Sequence, residues 1–260
     1  MAEKEIAALF DRLYQHAVEH CDDEEARVRL KKIGKNQLLS YKLIVEENNR
    51  YFATNGYQLL DGKLDDYPDA IVQCAVFKGI SRNVFITRKE FRGSIDEQVE
   101  SAYAFVLEHI DMGARISGLV RDDIYELPIR TIREIITNAV CHRSYLASGK
   151  VQVALFDDRL EVTSPGMLDS DLTIEQMKQG LSRIRNRGIA EVFAYMHMIE
   201  GWGSGIPNMF ADAENYGLPE PFLEDRGSDF RVNVYRSHLK TYIYGVGNPK
   251  KNGANDANAV

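Results

Sequence analysis

Cysteine is scarce in this chain, and the three present, Cys21, Cys74 and Cys141, are odd in number, widely spaced and in no CxxC pairing. That arithmetic argues against a disulfide framework and a cysteine zinc site, so the thiols are read as reduced. No apolar run approaches membrane-spanning length, and the opening MAEKEIAALFDRLYQH carries charge within its first five residues instead of the apolar core of a secretion signal. A cytoplasmic protein with no membrane partner is expected. An excess of basic residues is lacking too: Lys and Arg total 32 against 39 Asp and Glu, a net charge of −7. Such a balance repels a phosphate backbone unless cations cluster locally, which disfavours stand-alone nucleic-acid binding. The phosphate loop GxxxxGK[ST] is missing, so motor chemistry built on that loop has no visible seat, and there are no internal repeats.

What is there is ordinary for a globular protein: 44% hydrophobic and 27% charged residues over 260 positions. That length suits one medium domain plus an attachment. Residues 2–34 are rich in Ala, Glu, Leu and Arg, with Ile6, Leu9, Leu13 and Val18 at helical spacing, then Val28 and Leu30 after the acidic break at Cys21, Asp22 and Asp23. Two helices are predicted. A short apolar helix then leads into the β-prone stretches KLIV and RYFAT, separated by the turn-forming Glu47, Asn48 and Asn49. Helices followed by a two-stranded wing predict a partial winged helix, or else an adaptor that packs on the main domain without touching DNA. Residues 1–61 are therefore expected to form a helical connector, 62–237 the main domain, and 238–260, small and polar, a disordered tail.

Within the main domain, AIVQCAVF reads as a buried strand and Asn83–Thr87 as a second one. Ser94 and Glu97 have capping-box spacing, and Ile95, Val99, Ala102, Phe105, Val106 and Ile110 trace one stripe of a long helix. Pro128 stands where a first helical residue is expected, opening RTIREIITNAVCHR. KVQVALFDDRLEVTSPG predicts a hairpin turning at Asp157 and Asp158. Thr173 and Gln176 cap a short helix, RNRGIAEVFAYMHMIE is helical with Phe193, Met196 and Met198 assigned to core, and GWGSGIPNMF is a glycine-rich turn opening another helix. Two late strands, near PEPFLE and DFRVNVYR, would complete the sheet.

The chemistry concentrates on the helix containing Glu134. Steps of 100° place Ile129, Ile132, Ile135, Ile136, Ala139 and Val140 on one side, and Thr131, Glu134, Asn138 and His142 on the other. Glu134 and Asn138 share a face one turn apart. A carboxylate can deprotonate water, and an amide oxygen one turn on can complete a magnesium shell that also holds nucleotide phosphates. The plain alternative is a solvated helix face. What tips the balance is order: the strand pair ending in SPG follows, and then Gly201, Trp202, Gly203, Ser204 and Gly205 at a helix start, where bare backbone can approach phosphate. Trp202 is read as a core or lid anchor in preference to a base-stacking platform. Arg183, Arg185 and Asn186 are read as a lid with an arginine available to a γ-phosphate, or as a solvated basic loop. His142 and Arg143, closing the helix, either contact phosphate or complement the helix C-terminus.

The order and wording of IREIITNAVCHRSY, VQVALFDDRLEVTSPGML, SRIRNRGIAEVF, MIEGWGSGIPNMF and YGLPEPFLE resemble the RecG-like ATP-binding region of Schlafen/AlbA-type transcriptional regulators over roughly residues 66–236. That region is similar to the GHKL (Bergerat) fold, an α/β two-layer sandwich with helices on one face of a mixed sheet and ATP beneath a mobile lid. The resemblance implies Glu134 as general base and Asn138 as the Mg2+ ligand. It implies Ser164, Pro165 and Gly166 at the adenine, and Gly203, Ser204 and Gly205 on the lid side; His142, Arg183 and Arg185 join them as nucleotide-binding candidates. One departure stands out: GHKL enzymes usually hold the adenine amino group with an aspartate, where this chain has Ser164. An ATP-binding regulatory module with slow Mg2+-dependent hydrolysis is therefore expected, the alternative being a degenerate fold serving protein interaction or dimerisation. The helicase of the family's customary label is set aside for want of the phosphate loop. DNA would be reached through parts outside this chain, which is read as a fragment or a short relative, or weakly through residues 1–61; a homodimer is the other partner expected.

Overall fold

The computed structural model describes residues 3–21, 23–117, 120–199 and 203–236. The expectations for Trp202 and for the tail at 238–260 lie outside the described residues. The fold is α/β. Its centre is a six-stranded mixed sheet in the order β4-β3-β7-β8-β10-β9, built from β3 (Val72–Phe77), β4 (Phe85–Phe91), β7 (Val151–Leu155), β8 (Arg159–Pro165), β9 (Phe222–Asp225) and β10 (Asp229–Tyr235). Only β3 and β7 run parallel; every other neighbouring pair is antiparallel.

Period-two alternation divides the two faces of this sheet. Val72, Cys74 and Val76 of β3, Val151, Val153 and Leu155 of β7, and Val232 and Val234 of β10 belong to the main core. The helices α5 (Ile95–Leu107) and α6 (Ile129–His142) pack on that side. The opposite face carries a small buried cluster of Ala75, Phe77, Ala154 and Phe156, with the Phe85 ring centred 4.6 Å from that of Phe77. There Glu161, almost fully buried, receives Arg82 at 2.6 Å, Arg159 at 3.1 Å and Arg231 at 3.7 Å.

The N-terminal segment joins the same core. Helices α1 (Glu3–Glu19), α2 (Glu24–Arg29) and α3 (Lys35–Ser40) precede a hairpin of β1 (Ile44–Glu47) and β2 (Arg50–Ala53), and α4 (Asn55–Asp61) follows it. Asn48 and Asn49 both take positive φ, 50° and 62°, as a two-residue turn matched to strand twist requires. Leu9, Leu13 and Ala17 of α1, with Tyr57, Leu59 and Leu60 of α4, are buried in the cluster that contains the sheet residues. Ala17 takes the place expected for Val18. Helix α2 buries nothing, and its Val28 is 82% exposed.

A second hairpin, β5 (Met112–Ser117) with β6 (Val120–Tyr125), precedes α6 and had no counterpart among the expected elements. Ser94 is the N-cap of α5, but its side chain makes no capping bond, and Pro128 is the N-cap of α6, one place earlier than expected. The box at Thr173 forms as read and opens α7 (Ile174–Lys178). The assigned core residues Phe193 and Met196, at the end of α8 (Arg187–Tyr195), and Met198 are buried, as are all three cysteine thiols, which are free.

Candidate functional site

Between α6, the end of β8, the loop after α7 and the start of α9 (Gly205–Asn215) lies a cavity of about 540 Å³. Its wall includes Glu134, Asn138, His142, Ser164 and Gly166, together with Arg183, Arg185, Gly203 and Gly205. Nine of the eleven nominated residues thus meet in one place, far apart as they are in sequence; Pro165, at the end of β8, and Ser204, the N-cap of α9, are outside the lining. Met167, Leu172, Ile184 and Ile206 add an apolar surface.

Helix α6 aims the central pair. Its buried stripe of Ile132, Ile135, Ile136, Ala139 and Val140 faces the core, which turns Glu134 and Asn138 toward the cavity. Asn138 Nδ2 donates to Glu134 Oε1 at 2.8 Å, so the amide fixes the carboxylate and keeps its own Oδ1 for another partner. Two members of the expected pattern are exchanged. Ile129 is 43% exposed, and Thr131 is buried and donates to Asp212 of α9 at 3.0 Å.

The glycines are where backbone must come close. A Cβ on Gly205 would lie 1.6 Å from Glu134 Oε1, so the carboxylate rests against the first residue of α9, whose first turn leaves amide N–H groups without intrahelical partners. Gly203, at φ 69°, has the Gly180 carbonyl where a Cβ would go, 2.1 Å from that position. The loop after α7 is thereby laid directly on the glycine turn. Gly180 was not among the nominated residues, although its place just past a capped short helix is where a left-handed glycine belongs.

At the opposite wall, Ser164 Oγ donates to the Ala139 carbonyl at 2.7 Å, tying β8 to α6 one residue beyond Asn138. The proton is committed and the oxygen lone pairs remain acceptors. Gly166 at φ 106° passes between Ser144 and Arg185, either of which a Cβ would meet at 2.8 Å. Arg185 donates to the carbonyls of His142 at 2.9 Å and Met167 at 2.5 Å, and Asn186 donates to those of Cys141 and Arg143, both at 2.8 Å. These two residues therefore close the carbonyl end of α6, while Arg183 stays exposed on the wall. Arg143 points elsewhere: buried, it holds the carbonyls of Asp69 at 2.8 Å and Gly149 at 3.0 Å.

Burial, reinforced by the Arg185 cation, holds the His142 imidazole below its ordinary range, against a hydrogen bond to the Arg183 backbone that favours the charged form. At neutral pH His142 offers a neutral ring. Burial, then the neighbouring Glu134 charge, pushes the Cys141 thiol up to about 12, leaving it unionised and unreactive behind the site.

Residues 148–234 match the family described as "Putative ATP-dependent DNA helicase recG C-terminal". This stretch is a RecG-like, ATPase-type region. The match takes in a third of the chain, supplying the walls of the cavity formed by β8, the loop after α7 and the glycine turn, and begins after the helix that carries Glu134 and Asn138. Among solved structures, the chain is similar to the DIP2311 protein of Corynebacterium diphtheriae at a TM-score of 0.68 and 18% identity, over 86% of this chain and 44% of that one. Such a likeness fixes the fold alone, and the chain spans less than half the length of that protein. No curated protein matches the sequence. Among the described residues no helix is long and apolar enough to cross a membrane.

Proposed function

We propose that the cavity binds ATP with Mg2+ and that the chain is the nucleotide-binding regulatory module of a Schlafen/AlbA-type transcriptional regulator. The observation that carries this reading is the juxtaposition of the Glu134–Asn138 pair with the glycine start of α9 in a cavity whose volume lies in the range of small-molecule sites, about 300–1,000 Å³. The residues present fit the group. Asn138 Oδ1 is the kind of oxygen ligand Mg2+ accepts, and the first-turn amide N–H groups of α9, which begins after Ser204, are donors of the kind that hold phosphate at a helix start. When bound, the ion neutralises charge on the phosphates.

Each residue then has a task. Glu134 takes a proton from an attacking water as general base, held in place by the Asn138 amide. Ser164 Oγ accepts from the adenine amino group through lone pairs that its bond to Ala139 leaves open, and Gly166 beside it forms part of the same wall. Arg183 meets the γ-phosphate, whereas Arg185 fixes the lid root and the neutral His142 gives a hydrogen bond in place of an ion pair. A neutral hydroxyl holds the base less firmly than a carboxylate would, which suits slow turnover and modest affinity. Binding would order the loop that rests on Gly203 and so alter the geometry of attached DNA-contacting parts. Those parts lie outside this chain or within residues 1–61, the connector to the module at 62–237, and a homodimer would couple two such modules.

A second reading, a degenerate module for protein interaction or dimerisation, is favoured by one set of observations: Glu134 packs on the start of α9, Ser164 bonds Ala139 and Arg185 caps α6, so each already has a structural task. Thermal melting separates the two. ATP with Mg2+ at about 100 times the Kd stabilises by about 2.7 kcal/mol, a rise of roughly 5–10 °C for a domain of this size. The rise should vanish in Asn138→Ala; no rise in the wild type supports the second reading.

A further inference from the structure

Away from the cavity, three side chains able to bind a metal converge where α1 meets α5. His16 and His20 lie one turn apart on α1, Glu100 lies on α5, and one ligand atom from each falls within 4.8 Å of the others. The two rings stack at 4.2 Å, and His20 Nε2 is 3.4 Å from Glu100 Oε1. The remaining ring nitrogens are already engaged: His16 Nδ1 is 3.2 Å from Asp96 Oδ2, and His20 Nδ1 is 2.9 Å from the His16 carbonyl. Acceptors at both Nδ1 atoms place the ring protons there and leave both Nε2 atoms with open lone pairs. A carboxylate or backbone carbonyl behind the imidazole is the usual support of a metal-bound histidine, fixing tautomer and ring direction.

His16 Nε2 supplies the independent observation. It is buried without any hydrogen-bond partner, an expensive arrangement for a ring whose other nitrogen is so carefully placed. Behind it, Asp96 is fully buried and held by Arg12. A water or an ion would relieve that nitrogen, and an ion would in addition engage the second imidazole and the carboxylate, whose ligand atoms lie within 4.8 Å of one from His16.

We propose that His16, His20 and Glu100 bind one divalent transition ion of the zinc class, with two imidazole nitrogens, one carboxylate oxygen and a water completing a tetrahedron. Two nitrogen donors select Zn2+, Ni2+ or Co2+ over Mg2+ and Ca2+, which favour all-oxygen shells, so this site is separate in chemistry and in place from the cavity. Its position ties the first helix to the helix that packs on β3. One cation competes for it: Arg133 Nη1 lies 2.7 Å from Glu100 Oε1, with its guanidinium stacked on Tyr103. The carboxylate has a second oxygen for the ion, and relief from that competitor should tighten binding.

The test uses the full chain, stripped with EDTA and titrated with Co2+ while the visible d–d absorption is followed, then challenged with Zn2+. Expected are saturation at one Co2+ per chain, displacement by Zn2+, and a melting temperature raised by Zn2+ but not by Mg2+. His20→Gln and Glu100→Gln alter partly exposed side chains, so both should fold by circular dichroism, and each should weaken Co2+ binding at least tenfold. Arg133→Gln should bind as tightly as the wild type or more so. Absence of any Co2+ band and any Zn2+-induced melting shift in the wild type overturns the proposal, as does unchanged binding in either His20→Gln or Glu100→Gln.

Discussion

Replacing Gly205 with alanine should destabilise the protein although the position opens a helix, where alanine normally gains. On an unobstructed site the exchange favours folding by about 0.4–1 kcal/mol, because alanine has less unfolded-state freedom to lose. Here the new methyl would lie 1.6 Å from Glu134 Oε1, 2.4 Å from Cδ and 3.0 Å from Cγ. No small adjustment resolves contact with three consecutive atoms, so the Glu134 side chain must leave its rotamer and surrender the Asn138 bond, or α9 must retreat. Overpacking of this kind costs about 1–3 kcal/mol, so a net loss of about 1–2 kcal/mol is expected in urea denaturation. The same exchange in a Glu134→Ala background is free of those three contacts and should be neutral or stabilising. The coupling between the two substitutions is then about 1–3 kcal/mol. Equal effects of Gly205→Ala in both backgrounds would show that the carboxylate does not rest on α9.

Other perturbations probe the rest of the account. Glu161→Ala strands the Arg82, Arg159 and Arg231 guanidinium groups around a carboxylate that is only 3% exposed, and should cost about 2–3 kcal/mol, less than for a fully buried cluster because the arginines reach solvent. Stability should fall with acidification in two stages. His142 binds protons less readily folded than unfolded, so stability declines as pH drops below its ordinary 6.5 toward the depressed folded value; urea titrations from pH 8 to 5 should give a flatter profile in His142→Gln. Burial opposes ionisation of Asp96 and Glu161, but His16 and Arg12 around the first, and Arg82, Arg231 and Arg159 around the second, hold both carboxyls below their ordinary 3.8 and 4.5. Their contribution is therefore intact above those values and lost on further descent, as unfolding between pH 5 and 2 should record. Ser164→Ala removes the bond between β8 and α6 and should cost about 1 kcal/mol in chemical denaturation as well as weakening nucleotide affinity, since the Ala139 carbonyl loses a donor and the purine an acceptor.

The long amphipathic helices were legible because their apolar spacing and their packing agree: the stripe from Ile132 to Val140 in α6 is buried as drawn. The strand pair around Asp157 and Asp158 and the turn at Asn48 and Asn49 were legible because local turn chemistry alone fixes them. Where reading failed, the deciding neighbour came from far along the chain. Thr131 is buried and Ile129 exposed because α9 crosses the first turn of α6 and brings Asp212 to the hydroxyl, which no helical wheel contains. Ser94 and Glu97 have the spacing of a capping box, but the Ser94 hydroxyl makes no capping bond. Most of the residues that line the cavity could be nominated by type and order. What could not be read was which glycine meets which neighbour, that Gly180 lies on Gly203 and that Gly205 lies on Glu134. Nor does spacing reveal that Arg185 is occupied by two carbonyls while Arg183 is left to the cavity.

Calorimetric titration of the chain with ATP, in the presence and absence of Mg2+, tests the central claim most directly. The account predicts one saturable site per chain, with Asn138→Ala weakening binding at least tenfold when Mg2+ is present and little when it is absent. Absence of saturable heat in the wild type with Mg2+ present, or equal loss in Asn138→Ala with and without the ion, would contradict it.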